Sequence, residues 1–412
     1  PIQFNVTNCK FTQQDGESDI AYGQIYLDTS ADLDVTVDNC EFILCDARAG
    51  NFDLHDTNVI IKNSTFTITG DLDAGEDSPN AIIFCAPTDG WAVGNSFTFH
   101  NNTWHQVLGE TTSTSRGIQI RGIKDINFHS NFFKITQDAD KSLFYLIHIE
   151  NRDDNAANDI ETVNFSGNVV ERIDFKGYSF YYQNDGGSDT HPNEIEKATI
   201  NDNYFIGSST YENDTNASCI YWLEDDDAVA TGAVLEIKRN FFTRMNDAIY
   251  LRNQNNTVVE ANTFYDMGYF SGTDMSQTNP LAVWNNDSDA TIFKDNVWIQ
   301  ENTLAKGVSL YIDAESTGAI VTGNVMYHTT PKDAANRARL IQGITGSSYT
   351  GTNNTYLNVE NVSDTDNPWL VGGANKSLAT YAESDDVSFS NITKSTTSTN
   401  CIKNHMTKPL GL

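Results

Sequence analysis

The amino-acid sequence predicts an all-β solenoid, a parallel β-helix of about a dozen coils that forms one domain over residues 1–412. One phrase returns along the chain, for example as "VIIKNSTF" and "LEIKRNFF": a strand, then an asparagine, then an aromatic or aliphatic residue. It returns at intervals of roughly 20 to 40 residues, which is typical of solenoids. Apolar residues at alternate positions, with abundant Val, Ile, Phe and Tyr, favour strands over helices.

Each phrase is anchored by an asparagine at the corner that follows its strand. Asparagine tolerates the left-handed backbone conformation that a sharp bend requires. Its amide can also hydrogen-bond the equivalent asparagine of the next coil, because neighbouring strands lie about 4.8 Å apart. The predicted anchors are Asn39, Asn63, Asn101, Asn131, Asn168, Asn203, Asn240, Asn262, Asn296, Asn324 and Asn354. Cys9 and Cys40 each follow an asparagine, so we expect stacked neighbours, either as two buried thiols or as a disulfide.

A second strand precedes each anchor, as in "IYLR" at 249–252, and its aliphatic residues are expected to point inward. The predicted outward pairs are Tyr26/Asp28, Asp53/His55, Phe84/Ala86, Gln119/Arg121, Tyr181/Gln183, Tyr221/Leu223, Tyr250/Arg252, Val283/Asn285 and Tyr311/Asp313. Three consecutive tyrosines would form an exposed strip for stacking on sugar rings, with neighbouring groups that bond hydroxyls. The predicted glycan-binding residues are Tyr181, Tyr221, Tyr250, Arg121, Glu224, Asn285 and Asp313. The alternative is that the tyrosines only stabilise the sheet.

Two other stretches carry groups that could do chemistry. In "SLFYLIHIENRDDN", alternation places His148, Glu150 and Arg152 on one strand face, where they could perform acid–base work. A strand end that runs into a charged loop is the alternative. The acidic runs "LEDDDA" (223–228) and "NDGGSD" (184–189) resemble calcium-ligating loops, so Ca²⁺ is a candidate cofactor. Solvated charge is the alternative for both runs, and no residue is assigned as a metal ligand.

Charge excludes two classes of partner. Lys and Arg number 25 against 56 Asp and Glu, a formal net charge of -31, whereas nucleic-acid binding needs clustered cations. Adsorption to an anionic membrane is disfavoured for the same reason. No run reaches the ~18 to 20 apolar residues that span a bilayer, so membrane insertion is not expected. The chain begins at Pro1 and the repeat reaches both ends uncapped. We therefore expect a piece of a longer secreted or cell-surface chain, able to associate end to end.

The stretch "LEIKRNFFTRMNDAIYLRNQNNTVVEANTF" (235–264) resembles the catalytic coils of the alginate lyase and chondroitinase B family of polysaccharide lyases. The matching residues are Asn240, Phe242, Leu251, Arg252, Asn262 and Phe264. The resemblance implies a single-stranded right-handed parallel β-helix. It also implies a catalytic arginine at Arg252, beside a lysine base and Ca²⁺ that neutralises a uronate carboxylate. The chain departs from the family where Thr231 replaces the lysine and Gly232 a serine.

The sequence predicts a secreted or cell-surface β-helix with a structural, adhesive or glycan-binding role. Its expected partners are polysaccharides and further copies of the chain. The alternative function is a polysaccharide lyase or hydrolase acting on an acidic polysaccharide. That enzyme would use Arg252 with His148 as the first candidate base, because a threonine at position 231 cannot replace an amine.

Overall fold

The computed structural model describes most of the chain, and all statements on structure concern that part. The described residues are 2–13, 23–29, 33–45, 47–54, 58–70, 81–87, 95–108, 115–137, 143–151, 160–173, 175, 177–184, 195–207, 218–224, 234–245, 247–267, 281–300, 308–328, 340–357, 369–371 and 374–376. They form strands joined by turns, with no helix among them. No helix in the described part could therefore cross a membrane.

The strands follow one another in a regular order. The first twelve are β1 (Ile2–Thr7), β2 (Lys10–Thr12), β3 (Ile25–Thr29), β4 (Leu33–Asp38), β5 (Glu41–Cys45), β6 (Gly50–Leu54), β7 (Asn58–Lys62), β8 (Thr65–Thr69), β9 (Ala81–Pro87), β10 (Ser96–His100), β11 (Thr103–Val107) and β12 (Ser115–Arg121). The next twelve are β13 (Asp125–His129), β14 (Phe132–Thr136), β15 (Phe144–Asn151), β16 (Thr162–Ser166), β17 (Val169–Ile173), β18 (Gly177–Asn184), β19 (Lys197–Asn201), β20 (Tyr204–Ile206), β21 (Ser218–Leu223), β22 (Val234–Lys238), β23 (Phe241–Thr243) and β24 (Asp247–Arg252). The last are β25 (Val258–Glu260), β26 (Thr263–Tyr265), β27 (Leu281–Asn286), β28 (Ile292–Lys294), β29 (Val297–Gln300), β30 (Val308–Ile312), β31 (Ala319–Thr322), β32 (Val325–His328), β33 (Ile341–Gly343), β34 (Tyr349–Thr352), β35 (Thr355–Leu357), β36 (Trp369–Val371) and β37 (Ala374–Lys376).

Every third strand joins the same sheet, which makes the chain a parallel β-helix. Sheet A runs from β1 through β4 and β7 to β34 and has twelve strands; sheet B, from β2 to β35, also has twelve. Sheet C starts at β3 and has thirteen strands, of which the last, β37, pairs antiparallel with β36. The prediction of a parallel β-helix of about a dozen coils is confirmed. Its right-handed winding stays a prediction.

The core fills the interior between the three sheets. In most strands of sheets A and B, buried residues alternate with partly exposed ones, for example in β7, β8 and β10. Equivalent inward residues stack from coil to coil because their strands pair in register. Phe42, for instance, stacks on Phe66 with ring centroids 4.7 Å apart. Each fully buried aromatic residue contributes about 1.5–3 kcal/mol through burial.

The corner between sheets A and B contains two neighbouring columns. The outer one holds residues with positive φ: Asn8, Asn39, Asn63, Asn101, Ser130, Gly167, Asp202, Arg239, Ala261, Asp295, Gly323 and Asn353. The residue after each lies in the inner column, which is buried except at Cys9. After Cys9, Cys40 and Ser64 this column holds Asn102, Asn131, Asn168, Asn203, Asn240, Asn262, Asn296, Asn324 and Asn354. We call this inner run the asparagine ladder. In each coil, one residue makes the bend and the next residue contributes its side chain to the ladder.

The asparagine ladder is a continuous chain of buried hydrogen bonds. At Asn203, the backbone N–H and Nδ2 both donate to Asn240 Oδ1, at 3.0 and 2.9 Å. Nδ2 also donates to the Phe165 carbonyl oxygen at 2.9 Å. The predicted anchors from Asn131 onward lie in this ladder. The predicted left-handed conformation of the anchor is confirmed for Asn39, Asn63 and Asn101, which occupy the exposed outer column. It is wrong for the anchors from Asn131 onward, because the residue before each of them has the positive φ. Their predicted hydrogen bonds to the equivalent asparagine of the next coil are confirmed, as at Asn203 and Asn240.

Cys9 and Cys40 begin the inner column. Their coils are in register, since the Glu41 N–H donates to the Cys9 carbonyl at 2.9 Å. Both thiols are free, Cys40 buried and Cys9 exposed. Stacking is thus confirmed, but the description of both thiols as buried holds only for Cys40.

Candidate glycan-binding face

Most of the described site residues predicted from the sequence fall on the outer face of sheet C, whereas Asn285 and Glu224 are buried. This face carries one outward column through Tyr26, Phe84, Gln119, His148, Tyr181, Tyr221, Tyr250, Trp284, Tyr311 and Gln342, whose strands pair in register. A second column, two residues further along each strand, includes Arg121, Glu150, Gln183, Leu223, Arg252 and Asn286. The sequence-derived columns hold except in two coils.

The exceptions are β6 and β27. Val283 pairs with Ile249 and faces inward, and Trp284 pairs with Tyr250 on the outer face. Asn285 therefore pairs in register with the inward residue Leu251 and is fully buried. Its Nδ2 donates to the Ser288 carbonyl at 2.9 Å. The prediction that Asn285 faces outward is wrong, and Asn286 takes that position.

In β6, the register differs from the predicted one by two residues. Asn51 pairs with Tyr26 and with Phe84 in the first column, and Asp53 pairs with Asp28 in the second. His55, which the sequence placed beside Asp53, lies outside the described residues. The first outward residue of this strand is therefore Asn51.

The middle of the face is buried rather than exposed. Tyr178, Tyr181 and Tyr221 form an aromatic cluster separate from the core, with 6%, 8% and 9% of their surface exposed. Tyr181 and Tyr221 stack with centroids 5.0 Å apart. The prediction that these two form an open sugar-stacking strip is therefore wrong. Their contacts match the structural alternative, a tyrosine ladder that stabilises the sheet.

A buried polar cluster adjoins the tyrosines on β12 and β15, and we call it the His148 centre. It comprises Arg116, Gln119, Arg121, His148 and Glu150. Arg116 Nε donates to His148 Nδ1 at 2.8 Å. Gln119 Nε2 and Arg121 Nε both donate to Glu150 Oε2, at 3.0 and 2.5 Å. The centre thus combines a histidine bonded to one guanidinium group with a carboxylate bonded to the other.

Electrostatics keep His148 neutral. Its pKa is lowered well below 6.5, first by burial and then by the positive charges of Arg116 and Arg121. Because Arg116 donates to Nδ1, the single proton of the neutral ring is on Nε2. The ring nitrogen that could accept a proton, Nδ1, is therefore already engaged in the hydrogen bond from Arg116. In this arrangement His148 accepts a hydrogen bond at Nδ1 and holds its proton at Nε2, and its proposed role as a base would require the Arg116 contact to break.

The lowered pKa makes a prediction about stability. Below pH 6.5 the unfolded chain protonates His148 while the folded chain does not, so the folded state is disfavoured as pH falls. The contribution is complete above pH 6.5 and decreases by at most about 1.4 kcal/mol per pH unit below it. We expect His148→Gln to reduce the slope of unfolding free energy between about pH 7 and 5. Denaturant titrations measure it, with the exposed His105→Gln as control. Equal slopes for wild type and His148→Gln would contradict the assignment.

Further along, from β24 to β30, the outer face is partly exposed. Tyr250, Trp284 and Tyr311 are all half-buried, as are Arg252, Asn286 and Asp313 beside them. We call these six residues the open stretch. Residues 253–257 and 287–291 make short turns to sheet A here, whereas longer connections, 152–161 and 185–196, follow β15 and β18. In the open stretch, the polar residues at the ends of three successive strands thus lie beside the row formed by the three aromatic rings.

The rings of the open stretch are ordered against one another. Tyr250 and Trp284 are stacked, with centroids 4.3 Å apart and planes at 3°. Tyr311 meets Trp284 at 80° with centroids 5.8 Å apart. The stacked sides of Tyr250 and Trp284 cover each other, so Tyr311 is the ring of this row best placed to pack on a sugar.

The polar groups of the open stretch are hydrogen-bonded, and further carboxylates border it. A side-chain hydrogen bond joins Arg252 to Tyr221, and Asn286 Nδ2 donates to Tyr250 Oη at 3.1 Å. Asp287 lies next to the stretch. Its pKa is raised by burial and by the charges of Glu315 and Asp313, against which Arg252 acts. Carboxylates outnumber cations here.

The remaining predicted residues are scattered. Arg121 is held by Glu150 in the His148 centre, and Glu224 is 2% exposed and accepts a hydrogen bond from Trp222 Nε1 at 2.9 Å. His148 on β15 and Arg252 on β24 are separated by β18 and β21, or about 14 Å at the usual strand spacing. Their joint action on one bond is therefore disfavoured, and the catalytic role of each stays a prediction.

Several predictions lie outside the described residues. They concern Arg152, Thr231 and most of the acidic runs considered for calcium. Within the described part, no group of three or more His, Cys, Asp or Glu side chains is arranged to hold a metal ion.

Comparison with known proteins adds no assignment. Neither the family models, nor the curated proteins, nor the solved structures gave a match to this chain. Of the residues that resemble the lyase family, Asn240 and Asn262 belong to the asparagine ladder, and Phe242 and Phe264 to a core stack. Arg252 is the matching polar residue on the outer face.

Proposed function

We propose that this chain is a glycan-binding β-helix with a structural or adhesive role outside the cell or at its surface. The observation that carries the proposal is the open stretch. There, Arg252, Asn286 and Asp313 follow one another on the same side of β24, β27 and β30, beside Tyr311. Sugar sites combine aromatic packing with a few polar side chains fixed on a rigid scaffold.

The spacing of the scaffold supports a polymer as ligand. Neighbouring coils are about 4.8 Å apart, close to the length of one pyranose residue, so a chain along the helix axis could meet one coil per sugar. Successive strand ends would then offer equivalent polar groups to successive hydroxyls.

Charge indicates which glycan fits. Asp287, at the edge of the open stretch, interacts electrostatically with Glu315, with Asp313 and with the guanidinium of Arg252. A uronate or sulfated polymer would be repelled by these carboxylates and by the net charge of -31. A neutral polysaccharide is therefore the proposed ligand.

Binding should depend on named residues. We expect Tyr311→Ala and Arg252→Gln each to weaken binding of a neutral polysaccharide by about 10-fold or more, because each removes a contact of about 1.5 kcal/mol. Calorimetry with a panel of neutral and uronate polysaccharides measures the effect, beside thermal melting to confirm folding. Tyr26→Ala is the matched control, since Tyr26 is 41% exposed in the same column but far along the helix.

The same panel tests the alternative function. A lyase would generate unsaturated products that absorb in the ultraviolet, and Arg252→Gln would abolish them. Formation of such products would show that the chain is a polysaccharide lyase and would contradict a purely binding role. Binding of no member of the panel, or equal loss with Tyr26→Ala, would contradict glycan binding at the open stretch.

A further inference from the structure

The His148 centre holds two buried polar atoms that have no hydrogen-bond partner in the described part of the chain. They are His148 Nε2 and Gln119 Oε1. The two residues are register neighbours on β12 and β15, and only 2% of His148 and 0% of Gln119 is exposed. Leaving either atom unpaired would cost about 1–3 kcal/mol. Because the two residues are neighbours in adjacent coils, one small group is a candidate partner for both atoms.

We propose that the His148 centre binds a hydroxyl group between His148 Nε2 and Gln119 Oε1. The chemistry of the two atoms sets the class of ligand. Arg116 occupies Nδ1, so Nε2 carries the proton and donates, whereas a carboxamide oxygen only accepts. The group between them must accept one hydrogen bond and donate another, as a hydroxyl does.

Other ligands do not fit this pair. A metal ion requires a bare ring nitrogen, but Nε2 holds the proton and Nδ1 is bonded to Arg116. A carboxylate could accept from Nε2 but would face the lone pairs of Gln119 Oε1. The Gln119 amide is held in this orientation because its Nε2 donates to Glu150 at 3.0 Å. A metal ion and a carboxylate are therefore both poorly matched to these two atoms.

A hydroxyl can come from water or from a sugar. A buried water typically makes about three hydrogen bonds to polar groups that otherwise lack a partner, and a polar contact too long for a direct bond is often bridged by one. A sugar hydroxyl offers the same donor and acceptor. Only a sugar hydroxyl at this site rests on the proposed glycan-binding function. If the chain binds no glycan, the hydroxyl site can still hold water, so failure of the proposed function and failure of this inference give different results.

The experiment is long-range ¹H–¹⁵N NMR of the whole chain with labelled histidine, at neutral pH. We expect the His148 proton on Nε2, with a magnetisation-transfer contact from it to a water resonance when no sugar is present. Addition of a neutral polysaccharide would replace that contact by one to the sugar if the source is a glycan. It would leave the water contact unchanged if the source is water only.

A variant pair sharpens the test. Gln119→Met removes the acceptor and is expected to speed solvent exchange of the Nε2 proton by about 10-fold or more, because a bridging group then loses one of its two bonds. Gln342→Met, in the same column at β33, is the control that should leave the exchange unchanged. The inference is overturned by a proton on Nδ1, or by an Nε2 proton that contacts neither water nor sugar. These outcomes are measured on the wild-type chain, so the inference can be tested even if Gln119→Met does not fold.

Discussion

Asn102→Leu is expected to lower the free energy of unfolding by about 3 kcal/mol, because two buried backbone groups lose their hydrogen bonds to its side chain. Asn102 Oδ1 accepts from the Ser64 N–H at 2.9 Å, and Nδ2 donates to the Ile61 carbonyl at 2.9 Å. Leucine has a similar volume but can replace neither bond. Chemical denaturation of the wild type and the variant measures the difference.

The neighbouring residue provides the control. Asn101 is exposed with φ of 54°, and its Nδ2 bonds Asn63 at the surface. Asn101→Gly keeps the left-handed conformation available and should change stability by less than about 0.5 kcal/mol. Similar losses for both variants would mean that the ladder is not the stabilising element of this corner.

Phe242→Ala is expected to cost about 3–5 kcal/mol through the cavity that it leaves in the core. Phe242 is fully buried and stacks on Phe205 and Phe264, with centroids 5.0 and 5.1 Å apart. A rigid stack across three coils cannot collapse easily onto the space. The thermal midpoint and the denaturant midpoint should both fall.

Phe241→Ala is the matched change on the adjacent outward residue. Phe241 is only partly buried and meets Tyr204 at a tilted 6.0 Å, so we expect a loss of less than about half that of Phe242→Ala. Equal losses would contradict the assignment of inward and outward faces. Phe242 is one of the residues that match the lyase motif. A large loss of stability in Phe242→Ala would mean that this residue of the motif serves folding.

The fold could be predicted because strand alternation and the corner phrase repeat in every coil. The position of the bend is harder to predict, because asparagine occurs at either of two neighbouring corner positions in different coils. In "DNCEF" and "KNSTF", asparagine holds the left-handed position, and Cys40 and Ser64 hold the ladder position. Asparagine suits both places, so the sequence alone does not separate them.

The candidate site was predicted less well because alternation identifies a face but not what covers it. Tyr181 and Tyr221 do face outward, yet they are buried in a cluster with Tyr178. Trp284 was missed because the strand was placed one residue out of register. Requiring Val283 to face inward, as Ile249 does, would have found the row of Tyr250, Trp284 and Tyr311.

The measurement that tests the central claim most directly is hydrogen–deuterium exchange of the chain with and without a saturating neutral polysaccharide. Glycan binding at the open stretch predicts slower exchange in the turns 253–257, 287–291 and 313–318, with no change at the opposite end near β3. Protection confined to other surfaces, or a chain that binds only uronate polymers, would contradict it.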